Sequence, residues 1–403
     1  MSLSEKFIKI PQYILAILSL IIVRLIRPWL QIRFEILYST RIGHFTANTE
    51  MYLCESDAFI NVPNQRYIDI FCIREPVCNQ QLTTMWKREL CILPAWIVCP
   101  IIKINRLIPS GEFHMAWEKN RTGLDVHNLL DRMPSHLKFT TSEETLGEAG
   151  LRKMGLPKGV QYVCLNVRDS AYLADHLPDY DWSYHNYRNS DINNYILVAE
   201  ELAKRGYFVI RMGAKVNGRL NSAHPNIIDY ATNGMRSDFM DIYLGAKCLF
   251  CITTGSGWDG VPEMMRRPIV YVNMVPLGYL HTFSNKFLSI TKRHVWRSSR
   301  KELTLSEIFS SGLAFSMSAK DFQSKGVELI ENTPEEIRDA AIEMLERIEG
   351  TWRSQENDDS LQSQFWELFP NDALDAYSGN RLHGEIRARY GAAFLRDNPE
   401  WLQ

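Results

Sequence analysis

Residues 248–273 restrict the folds open to this chain more than any other stretch. Cys248-Leu249-Phe250-Cys251-Ile252-Thr253-Thr254 is short and almost wholly apolar, and it breaks into Gly255-Ser256-Gly257-Trp258-Asp259-Gly260. Val261-Pro262-Glu263-Met264-Met265-Arg266-Arg267 then reads as the opening of a helix, and Pro268-Ile269-Val270-Tyr271-Val272-Asn273 as a second buried strand. Glycines let the backbone turn with positive φ and approach a ligand closely. The helix start that follows offers unpaired N–H groups and a positive dipole end, which suits a phosphate. In open α/β folds a turn of this kind at the carboxyl edge of a parallel sheet is where nucleotides bind. An ordinary tight βα turn is the plain alternative.

The flanking sequence extends the pattern. Tyr162 to Val167 reads as a strand, Asp191 to Arg205 as an amphipathic helix capped by Ser190, and Tyr207 to Met212 as the next strand. Ile227 to Tyr230 is a short strand, and Ser237 caps a helix over Asp238 to Ala246. Strands alternating with helices of this length imply right-handed crossovers and a parallel sheet. Thr141-x-x-Glu144 forms a capping box, and Thr333-Pro334-Glu335-Glu336 starts a helix running to about Ile348. Before these lie strands at Ile32–Tyr38 and Tyr67–Ile73, a helix at Gln80–Leu90 and an apolar, strand-like run at Cys91–Ile104. The expected division is a helix at 1–30, a first α/β domain at 31–150, a second, Rossmann-like α/β domain at 151–345 and a helical tail at 346–403.

With 45% hydrophobic and 23% charged residues the chain is globular, and a net charge of −2 does not advertise nucleic-acid binding. The cysteines sit mostly in apolar runs, and Cys248-x-x-Cys251 has no second pair to complete a zinc site, so buried reduced thiols in a cytoplasmic protein are expected. The amino terminus departs from the average. Tyr13 to Val23 is apolar apart from Ser19, and over residues 1–45 six basic residues outnumber two acids. The run is too short to span a bilayer and lacks a small-residue cleavage site. An apolar segment flanked by cations fits a helix in the interface of an anionic cytoplasmic leaflet, placing the chain as a peripheral protein of the cytoplasmic membrane. A buried helix of the first domain is the alternative.

Several groups are candidates for chemistry. Arg168-Asp169 directly follows the Tyr162 strand, where Asp169 would orient Arg168 toward a diphosphate, and Arg211-Met212-Gly213 closes the next strand in the same way. With Thr254, Gly255, Ser256 and Gly257 they would form an anion pocket. Between them lies a loop carrying Tyr172, Tyr180, Trp182, Tyr184, His185, Tyr187 and Arg188. Its rings either stack on a base or sugar, or pack the loop on the domain surface. Asp179-Tyr180-Asp181 lies in mid-loop after Pro178 and reads as solvated acids rather than a metal site. His44, after Gly43 at the end of the first strand, is a candidate general base, or a structural histidine. Glu263 in the first turn of the helix would accept ribose hydroxyls, or simply complement the helix dipole. Gly255-x-Gly257-x-x-Gly260 matches the dinucleotide fingerprint. It follows at least three strands, however, and the next strand does not end in an acid, so a nicotinamide oxidoreductase is a minor alternative.

Three stretches, Asn166-Val167-Arg168-Asp169-Ser170-Ala171-Tyr172, Tyr184-His185-Asn186-Tyr187-Arg188-Asn189-Ser190-Asp191 and Arg211-Met212-Gly213, resemble a family of glycosyltransferases encoded in bacterial surface-polysaccharide loci. Thr254-Gly255-Ser256-Gly257, Gly312-Leu313-Ala314-Phe315-Ser316 and Glu331-Asn332-Thr333-Pro334-Glu335-Glu336-Ile337 extend the resemblance over roughly residues 32–370. Gly260-Val261-Pro262-Glu263-Met264-Met265 is more distantly similar to the donor-binding segment of many GT-B enzymes, whose glutamate holds the donor ribose. The resemblance implies an α/β GT-B architecture, two Rossmann-like domains facing a cleft, with the nucleotide-sugar donor held mainly by the C-terminal one. The function expected is metal-independent sugar transfer from a nucleotide sugar to a surface-glycan or lipid-linked acceptor, without a cofactor. In that reading His44, Arg168 and Asp169 serve catalysis. Arg168, Tyr172, Arg211, Gly213, Thr254, Gly255, Ser256, Gly257 and Glu263 hold the donor, and Gly43, Tyr184, His185, Tyr187 and Arg188 the acceptor or sugar. A non-catalytic nucleotide- or glycan-binding assembly protein is the alternative from another class.

Overall fold

In the computed structural model, residues 3–116, 124–176, 179–375 and 379–403 are described, so the first two residues of the expected 1–30 helix and Pro178 lie outside the described residues. The main sheet has seven strands, all parallel. Including the smaller sheets, the strands in chain order are β1 Gln31–Leu37, β2 Tyr67–Ile73, β3 Tyr162–Asn166, β4 Phe208–Arg211, β5 Ile227–Ile228 and β6 Cys251–Thr253. β7 Ile269–Met274, β8 Phe287–Thr291, β9 Arg293–Trp296, β10 Val327–Ile330 and β11 Arg389–Tyr390 complete them. The main sheet runs β11-β8-β7-β6-β3-β4-β5. Every residue of β3, β4, β6, β7 and β8 is buried, which is why these segments read as continuous apolar runs rather than alternating ones.

The strand order locates the site. From β3 the chain steps outward to β4 and β5, then returns to the other side of β3 for β6 and continues outward through β7 and β8. The connections after β3 and β6 therefore leave neighbouring strands in opposite directions and open a crevice between them. Asn166 and Thr253 are paired partners at that boundary, so Arg168 and Gly255 emerge side by side.

The first lobe holds a two-stranded parallel sheet, β1 on β2, extended by bridges from Phe34 to Met115 and from Phe71 to Ile92. Its alternating faces serve two layers. Ile32, Phe34 and Ile36 pack under the helices Leu3–Ile26 and Ala95–Asn105. Leu37, Phe71 and Ile73 join Phe45, Met85 and Trp86 against Ile242, Val261 and Met264 of the second lobe, one core shared by both lobes.

Some elements differ from expectation. The run at 91–104 is a helix from Ala95, not a strand. Ile92 bridges to β2, Pro94 turns the chain, and Val98, Ile101 and Ile102 then bury one face while Trp96 stays exposed. The capping box lies one residue earlier, at Thr140 and Glu143. The helix expected from Asp191 opens as a 3₁₀ turn, Ile192–Tyr195, and becomes α-helical at Ile196. The tail contributes more than helices: β11 closes the sheet edge, and Phe365, Tyr390 and Trp401 enter the main core.

Polar contacts also lock the lobes together. Glu50, wholly buried, takes Arg266 Nη2 at 2.6 Å and His136 Nδ1 at 3.2 Å, and His136 Nε2 reaches Asp57 at 3.1 Å. Burial works against the imidazolium, yet hydrogen bonds to Cys54 and Glu50 and the Glu50 charge raise His136 to about 10. A folded-state value above the ordinary 6.5 means that this stabilisation is complete below pH 6.5 and is lost as pH rises through about 10. Urea midpoints of the unaltered chain should therefore fall between those limits, and His136→Gln should flatten the fall; parallel curves would remove this ion cluster from the stability of the fold.

Candidate anion site at the switch in strand order

One carboxylate organises the turn after β6. Asp259 Oδ1 accepts from Thr253 Oγ1 at 2.6 Å and from Asn166 Nδ2 at 2.8 Å, and Oδ2 accepts from the Ser256 amide. Asn166 Nδ2 also donates to Ser256 Oγ at 2.7 Å, so the end of β3 holds the turn that follows β6. Burial pushes Asp259 up to about 6 in spite of these donors. Thr254 Oγ1 accepts from the Arg168 amide at 3.0 Å, which fixes the start of the connection after β3. Gly255 sits at φ +74°, where a Cβ would also meet Met274 Sδ at 2.6 Å. The expectation that the turn amides face a ligand needs correcting at two positions. The Gly255 amide donates to Thr253 Oγ1 and the Ser256 amide to Asp259, while the helix that follows, Gly260–Met264, has only five residues.

Side-chain cations supply the positive charge instead. Arg188 Nη2 donates to the Gly255 carbonyl, and Arg168 Nη1 to Asn189 Oδ1 and to the His185 carbonyl. Lys292, buried at the carboxyl end of β8, donates to the Asn189 carbonyl at 2.5 Å, with Glu331 3.8 Å away. Burial and the Arg188 charge push Arg168 down to about 10, and burial with the Arg168 charge lowers Lys292 despite Glu331. His185 is driven down to about 4 by burial and by Arg188, Arg168 and Arg41, so it is neutral at pH 7. Arg188 Nε and His185 Nδ1 are buried with no hydrogen-bond partner among the described residues. Arg168 depressed by Arg188, Lys292 depressed by Arg168 and a buried Arg188 Nε without a partner among the described residues leave positive charge uncompensated at this edge.

Other expected members are elsewhere. Arg211, 1% exposed, is committed to Asp229 at 3.2 Å and to the Gly218 carbonyl at 2.9 Å, and so does not join Arg168. Gly213 follows it in the same loop, packed on Val216. Asp169 does not orient Arg168; its carboxylate accepts from the amides of Ala171 and Asn217, each at 2.8 Å. Tyr187 is buried with its ring 5.6 Å from Phe322, so it packs the loop down. Glu263 is buried beside His281 Nδ1 at 3.0 Å and Tyr271, with Oε1 unpartnered among the described residues. Tyr180, Trp182, Tyr184 and His185 form a ring ladder along the loop, with Tyr184 and His185 centroids 4.0 Å apart. Tyr172 is exposed, as are Asp179 and Asp181, whose carboxylate accepts from Ser183.

The first lobe meets this site glycine to glycine. A Cβ on Gly43 would lie 2.9 Å from Gly257 Cα, and one on Gly260 would lie 2.2 Å from Thr46 Oγ1. His44, next to that contact, shares a 3.2 Å hydrogen bond from Nδ1 to Asn48 Oδ1. An amide oxygen only accepts, so Nδ1 carries the proton and Nε2 keeps its lone pair. Burial and the Arg41 charge lower His44, which keeps the ring neutral at pH 7. Arg41 acts on His44, Tyr172, Tyr184 and His185 alike, which places its charge between the lobes. Sequence reasoning missed Lys292 and Arg41. The signal was present for Lys292, a cation closing the apolar run Phe287–Thr291 as Arg168 follows β3.

No family model and no curated protein matches the chain. The solved structures to which it is similar include sugar transferases. An ADP-heptose lipopolysaccharide heptosyltransferase II from E. coli shares 16% identity, over 65% of this chain and 90% of that one, at a TM-score of 0.40. A family 9 glycosyl transferase from Veillonella parvula shares 12%, over 78% and 97%, at 0.47. The E. coli heptosyltransferase WaaC with ADP-2-deoxy-2-fluoro heptose shares 9%, over 64% and 93%, at 0.34.

Arg211 and Arg168 should separate by experiment. Breaking a buried pair from one side costs about 3 kcal/mol or more, so Arg211→Met should lower the urea midpoint strongly. Arg168→Met, at a group with no acid partner among the described residues, should lower it far less. Equal losses would mean that Arg168 also serves mainly to hold the fold.

Proposed function

We propose that the protein is a glycosyltransferase that takes a sugar from a nucleoside-diphosphate donor. The observation that carries this reading is the cation cluster at the switch in strand order: Arg168, Arg188 and Lys292, with Glu331 the acid that pairs with Lys292. In transfer, the acceptor hydroxyl oxygen bonds to the anomeric carbon, and the bond from that carbon to the β-phosphate oxygen breaks. Negative charge then grows on the leaving diphosphate, where preorganised cations lower the barrier because they are already in place. His44 takes the hydroxyl proton at Nε2, the nitrogen its contact with Asn48 leaves free. The Tyr184–His185 end of the ring ladder, beside Arg168 and Arg188, offers a face for a base or sugar. Glu263 Oε1 is the acceptor left for a donor hydroxyl. Because side-chain cations neutralise the leaving group, the proposed reaction runs without a divalent metal. The acceptor proposed is a surface glycan or a lipid-linked sugar.

Titration of the purified chain with ADP, UDP and GDP should show binding of at least one diphosphate. Removing a charge-assisted contact costs about 1.5–3 kcal/mol, so Arg168→Ala should weaken that binding roughly 10- to 150-fold. Turnover of the matching nucleotide sugar should survive EDTA; binding without turnover of any donor would favour a non-catalytic binder. With His44 neutral above its lowered value, the rate should rise with pH below about 6.5 and then level off. His44→Asn should slow turnover while leaving diphosphate affinity intact. Full activity in that variant would remove His44 from the mechanism.

A further inference from the structure

We infer that the outer face of the first lobe docks on an anionic lipid bilayer, with the helix Leu3–Ile26 lying in the headgroup layer. One side of this helix is committed to protein: Ala16, Leu20 and Val23 are 1%, 2% and 6% exposed in the core shared with β1, β2 and the helix Ala95–Asn105. A helix anchored in this way from Ala16 to Val23 cannot also be surrounded by lipid there. Among the described residues no helix is long and apolar enough to cross a membrane.

The other side is the feature that demands a partner. Ile14, Leu18, Ile21 and Leu25 follow one another at helical spacing and are 54%, 54%, 50% and 67% exposed, with Ile17 and Ile22 beside them at 47% and 58%. Contiguous aliphatic surface of this kind is rare on a chain that meets only water. At the carboxyl end of the helix Trp29 is 74% and Leu107 84% exposed. Arg24 Nη2 donates to the Pro109 carbonyl there at 3.0 Å, and the Arg27 guanidinium lies 3.9 Å over the Phe113 ring.

Charge selects the occupant. Between Glu5 and Glu35, and again between Glu89 and Glu112, the sequence contains no acidic residue, whereas Arg24, Arg27, Lys103 and Arg106 fall within those segments. An aliphatic band edged by cations, on segments that carry no acid between those glutamates, complements acyl chains below anionic headgroups. A protein partner would more often be met by aromatic anchors in a polar rim. The surface makes the chain a peripheral membrane protein whether or not it transfers sugars.

The test is co-sedimentation of the full chain with vesicles of phosphatidylcholine alone and of phosphatidylcholine mixed with phosphatidylglycerol. The chain should pellet with the mixed vesicles, and added salt should weaken binding. Ile14→Glu with Ile21→Glu, both on the exposed side, should reduce binding at least about tenfold at an unchanged melting temperature. Arg106→Gln should reduce it about fivefold on the mixed vesicles and not on phosphatidylcholine alone. Failure to pellet with either vesicle would overturn the inference, as would pelleting that the paired glutamates leave unchanged. A dimer in solution that the same pair of substitutions dissolves, without lipid binding, would assign the face to a second copy of this chain.

Discussion

The buried carboxylate of Asp259 is the constraint on which the site depends. It lies in the turn after β6, yet its donors come from β3 and β6 as well as from the turn itself. A carboxylate removed from water is unfavourable unless its lone pairs are filled, and here Asn166, Thr253 and Ser256 fill them. The turn is therefore not free to choose its path. With the turn fixed, the Thr254 hydroxyl meets the Arg168 amide, and the connections leaving β3 and β6 diverge from a set origin. A parallel sheet can reverse its strand order with a loose crevice at the reversal; here the crevice has rigid edges.

Electrostatic strain is then concentrated where the crevice opens. Arg168 lies close enough to Arg188 to be depressed by its charge, Lys292 is depressed in turn by Arg168, and burial penalises both. Folding alone would remove such charges or pair them, as it pairs Arg211 with Asp229 one strand away. The contrast between the two arginines is informative. Both end buried parallel strands or follow them directly, but the Nη1 of one is paired with an acid and a carbonyl, while among the described residues the Nη1 of the other meets only neutral oxygens, with the Arg188 charge beside it. A bound diphosphate would supply the negative charge that the fold withholds.

The strand-turn-helix-strand of residues 248–273 was legible because buried parallel strands are unbroken apolar runs, punctuated by glycine where the chain must turn. Adjacency of Arg168 and Gly255 was legible for the same reason, since each follows such a run. What spacing does not carry is side-chain direction. Nothing in Arg211-Met212-Gly213 says that the guanidinium turns toward Asp229, 18 residues later. Nothing in Arg168-Asp169 says that the acid accepts from the amides of Ala171 and Asn217 instead of pairing with its neighbour. The helix at Ala95–Asn105 was hidden by a different effect. Its faces are claimed by the sheet and by the amino-terminal helix, so the apolar pattern loses its period and mimics a strand. Lys292 was overlooked because β8 itself was, and the edge strand Arg389–Tyr390 is too short to leave a pattern.

β1 and β2 connect the two surfaces of the first lobe. Residues of one parity, such as Phe34 and Cys72, support the helix proposed to lie on lipid, and those of the other, such as Leu37 and Phe71, enter the core shared with Val261 and Met264. Val261 and Met264 belong to the helix that follows the glycine turn, and Gly43, at the end of the β1 connection, touches Gly257 within that turn. The contact is backbone against backbone, so no side-chain rotation can widen or narrow it. His44 is consequently held at a separation from the turn that the main chain sets, and the Glu50, His136 and Arg266 cluster resists sliding of one lobe over the other. The base proposed on one lobe and the anion site proposed on the other would keep a productive geometry only if the boundary between them does not creep. A contact between two glycines, backed by a shared core and a buried ion cluster, meets that requirement with the smallest residues available.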